Sequence, residues 1–291
     1  MAEAKIGIIG GSGLYEMDEL EDVRRENIET PFGEPSDAYV LGTLGGRKVA
    51  FLSRHGRGHR YFPSELNYRA NIWGFKKLGV EWIIAVSAVG SLKEELKPLD
   101  IVLPDQFFDR TNQARKSTFF GDGVVAHIAF AEPMSKVLRE IIYQAAVEAG
   151  ARVHLGGTYI NMEGPAFSTR AESNVYRQWG MDIIGMTNLP EAKLAREAEI
   201  AYQTMAMVTD YDCWRYHEGI EDVTVETVVA TLLKNISLAR RIIKTVVERI
   251  PEESDPACAN ALKNAIMTAP EAITPQARQR LALIIGKYVK I

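Results

Sequence analysis

Cysteine is almost missing from this chain. The two present, Cys213 and Cys258, lie far apart and form no C-x-x-C pair, so neither a disulfide framework nor a zinc site is indicated. Long apolar runs are missing too, and none approaches the roughly 18 residues that a membrane span needs. The first apolar run, Ile6 to Ile9, follows Glu3 and is too short for a secretory leader. Excess positive charge is also lacking. With a net charge of −4, the chain has no general basic face for nucleic acid, so any anion site must be a local cluster. No Pro-, Gly- or Ser-rich linker divides the chain and no internal repeat appears. The expected setting is cytoplasmic, without membrane or nucleic-acid partners.

What is present is the composition of a globular protein, 46% hydrophobic and 25% charged over 291 residues, enough for one large core. Lys5 to Leu14 organises the rest. Its apolar run reads as a buried parallel strand, which breaks into Gly10-Gly11-Ser12-Gly13. Such a turn can present backbone N–H groups, and here the Ser12 hydroxyl, to an anion. A dinucleotide fingerprint fits poorly, because G-x-G-x-x-G would need glycine at Glu16 and the following segment is acidic.

Asp37 to Phe51 reads as a hairpin through Gly45-Gly46 and runs into a cationic stretch, Ser53 to Arg60. A helix is expected from Pro63-Ser64 to Leu78, then strands over Glu81 to Val86 and Asp100 to Pro104. Asp105 to Gly123 lacks periodicity and reads as a long loop. Further on, helices are expected over Pro133 to Glu148, Arg170 to Trp179 and Pro190 to Ile200, with strands over Arg152 to Ile160, Met181 to Met186 and Tyr202 to Thr209. Thr224 caps a helix reaching Ile250, and the tail from Pro256 suggests two more. This alternation predicts an α/β fold with a central mixed, largely parallel sheet flanked by helices. The expected organisation is a catalytic domain over residues 1–255, with a helical extension over 256–291 packed on it.

Ligands in such sheets collect at the carboxyl ends of strands. The residues found there sort by chemistry. Ser12, Arg54, His55, Ser87, the Ala88 amide and Thr187 are donors suited to a tetrahedral oxyanion. Met162, Glu163 and Met186 offer an apolar surface beside one carboxylate, as a sugar would require, although methionines are more often plain core. Asp210 and Asp212, one residue apart, suit a nitrogen base.

The motifs G-I-I-G-G-S-G-L, R-H-G-x-x-H, N-Y-R-A-N-I-W, G-S-L, D-Q-F-x-D-R-T, E-G-P-x-F-S-T-R-A-E-S, M-T-N-L-P-E-A-K-L-A-R-E-A and T-D-Y-D-C-W occur in this order. Together they resemble the trimeric purine nucleoside phosphorylases, from about Lys5 to Ile250. The resemblance implies attack of inorganic phosphate on the ribosyl C1′ as the purine leaves, with phosphate a co-substrate and no metal or organic cofactor. It places phosphate on the oxyanion set above, Met186 under the ribose, and Met162, Glu163, Phe167 and Ser168 around the substrate. Asp210 is the implied proton donor or partner at purine N7, and Asp212 the partner of a 6-amino group. Members acting on 6-oxopurines carry asparagine at the position of Asp210, so an adenine nucleoside is expected here. Val225, Val228 and Val229 share one helix face in the family's specificity helix and form an apolar wall suited to a 5′-methylthio group. The implied substrate is 5′-methylthioadenosine, with a 6-oxopurine nucleoside or methylthioinosine as the alternative. The resemblance also implies a homotrimer, in which His127 reaches a neighbour's pocket. The helix from Thr274 to Tyr288 has no counterpart in the animal-type enzymes.

Overall fold

The computed structural model describes residues 2–14, 16–215 and 224–290, with the Ser12 side chain outside the description. The strands are β1 (Ile6–Gly10), β2 (Glu21–Glu26), β3 (Tyr39–Leu44), β4 (Arg47–Ser53), β5 (Trp82–Ser91), β6 (Ile101–Leu103), β7 (Gln106–Arg110), β8 (Val153–Leu155), β9 (Thr158–Met162), β10 (Ile183–Gly185) and β11 (Ala201–Asp210). The helices are α1 (Tyr68–Leu78), α2 (Lys136–Glu148), α3 (Arg170–Gln178), α4 (Asn188–Glu197), α5 (Val225–Arg249) and α6 (Pro275–Ile285).

All the strands join one mixed sheet of order β2-β3-β4-β1-β5-β10-β9-β7, with β11 on the other edge of β5, followed by β6 and β8. The alternation of side chains along each strand divides the core between two faces. Ile9, Ile83 and Ala85 pack with α1, α4 and α6, whereas Ile8, Ile84 and Met205 pack with α2 and α5. Helices thus cover both faces, which is why β1 reads as an unbroken apolar run. Leu262, Ala265, Leu281 and Ile285 of the tail belong to the first of these clusters, so the extension shares the core of the preceding chain.

Several local expectations need correction. Helix α1 begins at Tyr68 and not at Pro63-Ser64, because the Asn67 side chain caps it by accepting from the Ala70 N–H at 3.2 Å. Part of the expected loop, Gln106–Arg110, is strand β7, paired parallel with β9. The expected strand over Arg152 to Ile160 is divided into β8 and β9 by Gly156 and Gly157, whose φ values of 82° and 108° favour glycine. Strand β2 escapes a hydrophobic-pattern reading because it is an exposed edge strand of sequence E-D-V-R-R-E. The tail holds one α-helix where two were expected. Residues 256–265 form successive turns, and Pro270–Ala272 is a single 3₁₀ turn. The hairpin stands as read, β3 against β4, with Gly45 and Gly46 both at positive φ.

Candidate active site

The site lies where the sheet forks. One edge of β5 pairs with β1 as far as Ile9 opposite Ala85, and the same edge pairs with β10 only at Gly90 and Ser91. Val86 to Val89 lie between these two ladders. Ser87 and Ala88 therefore stand at an opening in the sheet, facing the ends of β1 and β4 on one side and of β10 on the other. The Arg54 N–H donates to the Gly10 carbonyl at 3.0 Å, which ties the glycine turn to the end of β4.

The glycines of that turn serve two purposes. A Cβ on Gly10 would strike Leu14 and one on Gly13 would strike Ile236, so both permit close packing. A Cβ on Gly11 would meet nothing within 4 Å among the described residues, and this is the open position where a ligand can approach the backbone.

Burial sorts the cationic stretch. Arg57, His59 and Arg60 are exposed, while Arg54 is buried and His55 half-buried. Arg54 donates from Nε to Glu191 Oε1 at 2.5 Å, from Nη2 to Glu191 Oε2 at 3.1 Å and from Nη1 to the Val86 carbonyl at 2.8 Å. A guanidinium has five N–H donors, so one remains on each terminal nitrogen, the pair that suits a bidentate oxyanion. Burial alone would lower the pKa of Arg54, but Glu191 more than offsets it and the group stays ionised. His55 Nδ1 lies 2.8 Å from the Tyr61 carbonyl, and its ring stacks on His59 at 4.2 Å. Because a carbonyl only accepts, Nδ1 carries the proton and Nε2 is the free lone pair of the neutral ring. Burial, aided by Arg54 and His59, pulls His55 down to about 4, so it is neutral at physiological pH.

Thr187 immediately precedes α4 yet does not use its side chain to cap the helix. It is buried and stands between the end of β10 and a helix N-terminus, a favourable place for an anion. Tyr159 is buried beside Ser87 and Thr187, and burial pushes its hydroxyl up to about 12. It is therefore a neutral donor or acceptor behind the shell.

On the other side of the fork, Arg115 ties together the residues expected under a sugar. Its guanidinium donates to the carbonyls of Met186 and Glu163, and its Nε reaches Ser64 Oγ at 3.3 Å. Glu163 accepts from Ser64 through one oxygen and from the Asn112 N–H through the other, at 3.0 Å. Burial raises its pKa, but Ser64, Asn112 and Arg115 outweigh that and hold the carboxyl below the usual range. Both oxygens of Glu163 are thus engaged in fixing the loop, besides whatever they offer a ligand. Ser168 Oγ lies 3.7 Å from Met162 Sδ, while Phe167 is exposed.

The two carboxylates sit at the end of β11. The Asp212 N–H donates to Asp210 Oδ1 at 2.8 Å, and Thr209 Oγ1 lies 2.7 Å from Asp210 Oδ2 and 3.2 Å from the Val89 carbonyl. Burial is the main cause that raises Asp210, with a further push from Asp212, against the opposing donors Thr209 and Asp212 N–H. Asp212 is raised as well, again by burial first, against donors from Ser173, Cys213 and Ser168. A carboxyl raised in this way holds its proton more readily than an exposed one does.

Thr224 caps α5 with a reciprocal capping box, after which Val225 and Val229 are exposed and Val228 half-buried. Residues 216–223, just before this helix, lie outside the described residues. His127 is exposed, and its backbone N–H is held by the Ala265 carbonyl at 2.8 Å. Sequence reasoning missed Glu191, Arg115, Thr209, Tyr159 and Tyr202. Glu191 gave a misleading signal, since an acidic residue in a first helical turn reads as a partner of the helix dipole. Arg115 gave none, because it lies in an aperiodic segment.

Comparison with known proteins bears on the whole arrangement. The profile of the phosphorylase superfamily matches residues 5–248. An S-methyl-5′-thioadenosine phosphorylase of Geobacter sulfurreducens is 60% identical, over 99% of this chain and 100% of its own length. One of Koribacter versatilis is 58% identical, over 98% and 97%. Among solved structures, a methylthioadenosine phosphorylase sourced from an antarctic soil metagenomic library has a TM-score of 0.92 at 52% identity, covering 98% of this chain and 99% of that one. An adenosine/methylthioadenosine phosphorylase of Schistosoma mansoni, the S12T variant in complex with methylthioadenosine, reaches 0.82 at 37% identity, covering 89% and 96%. With the fold, the cleft and these relatives in agreement, the chain belongs to the phosphorylase superfamily.

Proposed function

We propose that this chain is an enzyme that cleaves 5′-methylthioadenosine with inorganic phosphate, giving adenine and 5-methylthioribose 1-phosphate. The observation that carries the reading is the fork itself. An oxyanion shell around Arg54 lies on one side, and a half-buried carboxyl pair with raised pKa lies at the end of the neighbouring strand.

Phosphate, the second substrate, sits among Arg54, His55, Thr187, Ser87, the Ala88 amide and the Ser12 turn. One of its oxygens forms the new bond to C1′ as the C1′–N9 bond breaks, and that electron pair passes to the purine. The sugar is cation-like at the transition state, and the adjacent phosphate stabilises it. Protonated Asp210 gives its proton, or a hydrogen bond, to purine N7 and relieves the charge growing on the base. Asp212 takes a hydrogen bond from the 6-amino group. Met186, Met162, Glu163, Phe167 and Ser168 enclose the ribose and base. No further cofactor or metal has a part in this scheme. A 6-oxopurine is disfavoured, because Asp212, set to accept from a 6-amino group, would meet the O6 lone pair instead.

The enzyme works in the cytoplasm as a homotrimer in which a neighbour's His127 completes the 5′ pocket. Exposed Val225, Val229 and Leu233, four residues apart on α5, support this, since such a stripe calls for cover. Incubation with methylthioadenosine, with and without phosphate, tests the activity, and release of adenine only with phosphate is expected. Release without phosphate, or none at all, would overturn it. Activity should also track trimer content on dilution, and a fully active monomer in light scattering would remove the assembly claim.

A further inference from the structure

A phosphorylase gains rate only from contacts that strengthen as positive charge grows on the sugar. A lone buried arginine works against this. It attracts the dianion fully in the ground state and then repels the ribosyl cation. The structure shows Arg54 in a different situation. Its guanidinium is forked onto Glu191 at 2.5 and 3.1 Å, and both side chains are almost wholly shut off from water. The Tyr202 hydroxyl donates to Glu191 Oε2 at 2.8 Å, and Asn188 Nδ2 donates to Tyr202 at 2.8 Å. All four residues are buried. Two further arginines also have carboxylate partners. Arg115 has Glu163 at 3.5 Å, and Arg57 has Asp37 at 3.5 Å. His55 is neutral, and Ser87, Thr187 and the Ala88 amide are uncharged donors.

We infer that Glu191 is a positioning residue that aims Arg54 and at the same time brings the net charge of the phosphate shell close to zero. The inference rests on the assignment of phosphate to Arg54. The dianion is then oriented by two end-on N–H groups and by dipoles, while the balancing positive charge arrives only when the ribosyl cation forms. Phosphate binds modestly to the free enzyme, and its hold tightens toward the transition state.

The test is a calorimetric phosphate titration of the full-length Glu191→Gln protein without nucleoside, paired with steady-state kinetics on methylthioadenosine. Removing one buried negative charge should tighten phosphate binding by roughly tenfold. kcat should fall at least as much, and the KM for nucleoside should hardly move. Simple structural damage would instead weaken phosphate and lower kcat together. Phosphate binding that is unchanged or weaker in a folded Glu191→Gln protein overturns the inference. Should that variant not fold, the unmodified enzyme decides. Phosphate should bind more tightly beside a nucleoside analogue with a protonated sugar-ring nitrogen than beside its neutral counterpart, and equal affinities overturn the proposal. The double variant Arg54→Met/Glu191→Met separates the two readings. If it binds phosphate like the parent, the Arg54 assignment itself is wrong, whatever Glu191 does.

Discussion

The backbone N–H of Asp212 donates to Asp210 Oδ1 at 2.8 Å, so the main chain at the second acid of the pair helps to orient the carboxyl of the first. Thr209 engages the other oxygen, and its hydroxyl lies within reach of the Val89 carbonyl as well. A protonated Asp210 can thus donate to Thr209 while Thr209 donates to Val89, and an ionised one can accept from Thr209.

Replacement of Asp210 by Asn keeps these contacts, since an amide oxygen accepts from Asp212 and its NH₂ donates to Thr209. Activity on methylthioadenosine should fall by about 100-fold or more, as expected for loss of a general acid. Relative activity on inosine should rise, because the amide can donate to O6. Measured kcat/KM for the two substrates checks this, and an unaltered ratio would remove Asp210 from the base site.

Thr209→Val takes away a donor that lowers the pKa of Asp210, which burial has already raised. Asp210 should then stay protonated to higher pH, and the alkaline limb of the kcat profile should move upward. A downward shift would contradict the assignment of that limb to Asp210.

Gly90 lies against the same pair. A Cβ there would sit 3.0 Å from Asp210 Oδ1 and from Ile184 Cγ2, and 3.3 Å from Asp212 Cβ. Gly90→Ala should therefore raise the KM for nucleoside several-fold and leave the KM for phosphate unchanged. Equal effects on both substrates would mean that the whole fork has shifted.

Arg54→Ala should damage stability as well as phosphate use, because it strands the buried Glu191 carboxylate. A loss of about 3–5 kcal/mol is expected from such a break. The double variant Arg54→Met/Glu191→Met should recover most of that stability in thermal unfolding while staying inactive. If the double variant were no more stable than Arg54→Ala, the ion pair would not be the reason.

Glu197 offers a pH test away from the chemistry. Burial pushes it from an ordinary 4.5 up to about 7, although Thr118 and the Phe119 N–H both donate to it at 2.7 Å. A raised folded pKa means that its contribution to stability is full below about 4.5 and is lost as pH rises through 7. The melting-temperature difference between the parent and Glu197→Gln should change over that window and be flat above it. A difference independent of pH would show that Glu197 does not titrate there.

Much of this protein was legible because the signals are local. The apolar run of β1, the glycine turn of the hairpin and the Thr224 cap each depend on a few neighbouring residues. The candidate site residues Arg54, Ser87, Met186 and Asp210 announced themselves by their places at the ends of apolar runs. Strands β2 and β7 did not, because an exposed edge strand and a five-residue strand inside a loop carry no apolar period. What only the tertiary structure decided is the partner of each buried group. Glu191 reaches Arg54 across 137 residues and Arg115 reaches Met186 across 71, because the ends of β4 and β10 meet at the fork along β5. Hydrogen-bond periodicity is written along the chain. The compensation of a buried charge is a long-range condition, met only once the strand ends stand side by side and water has been excluded.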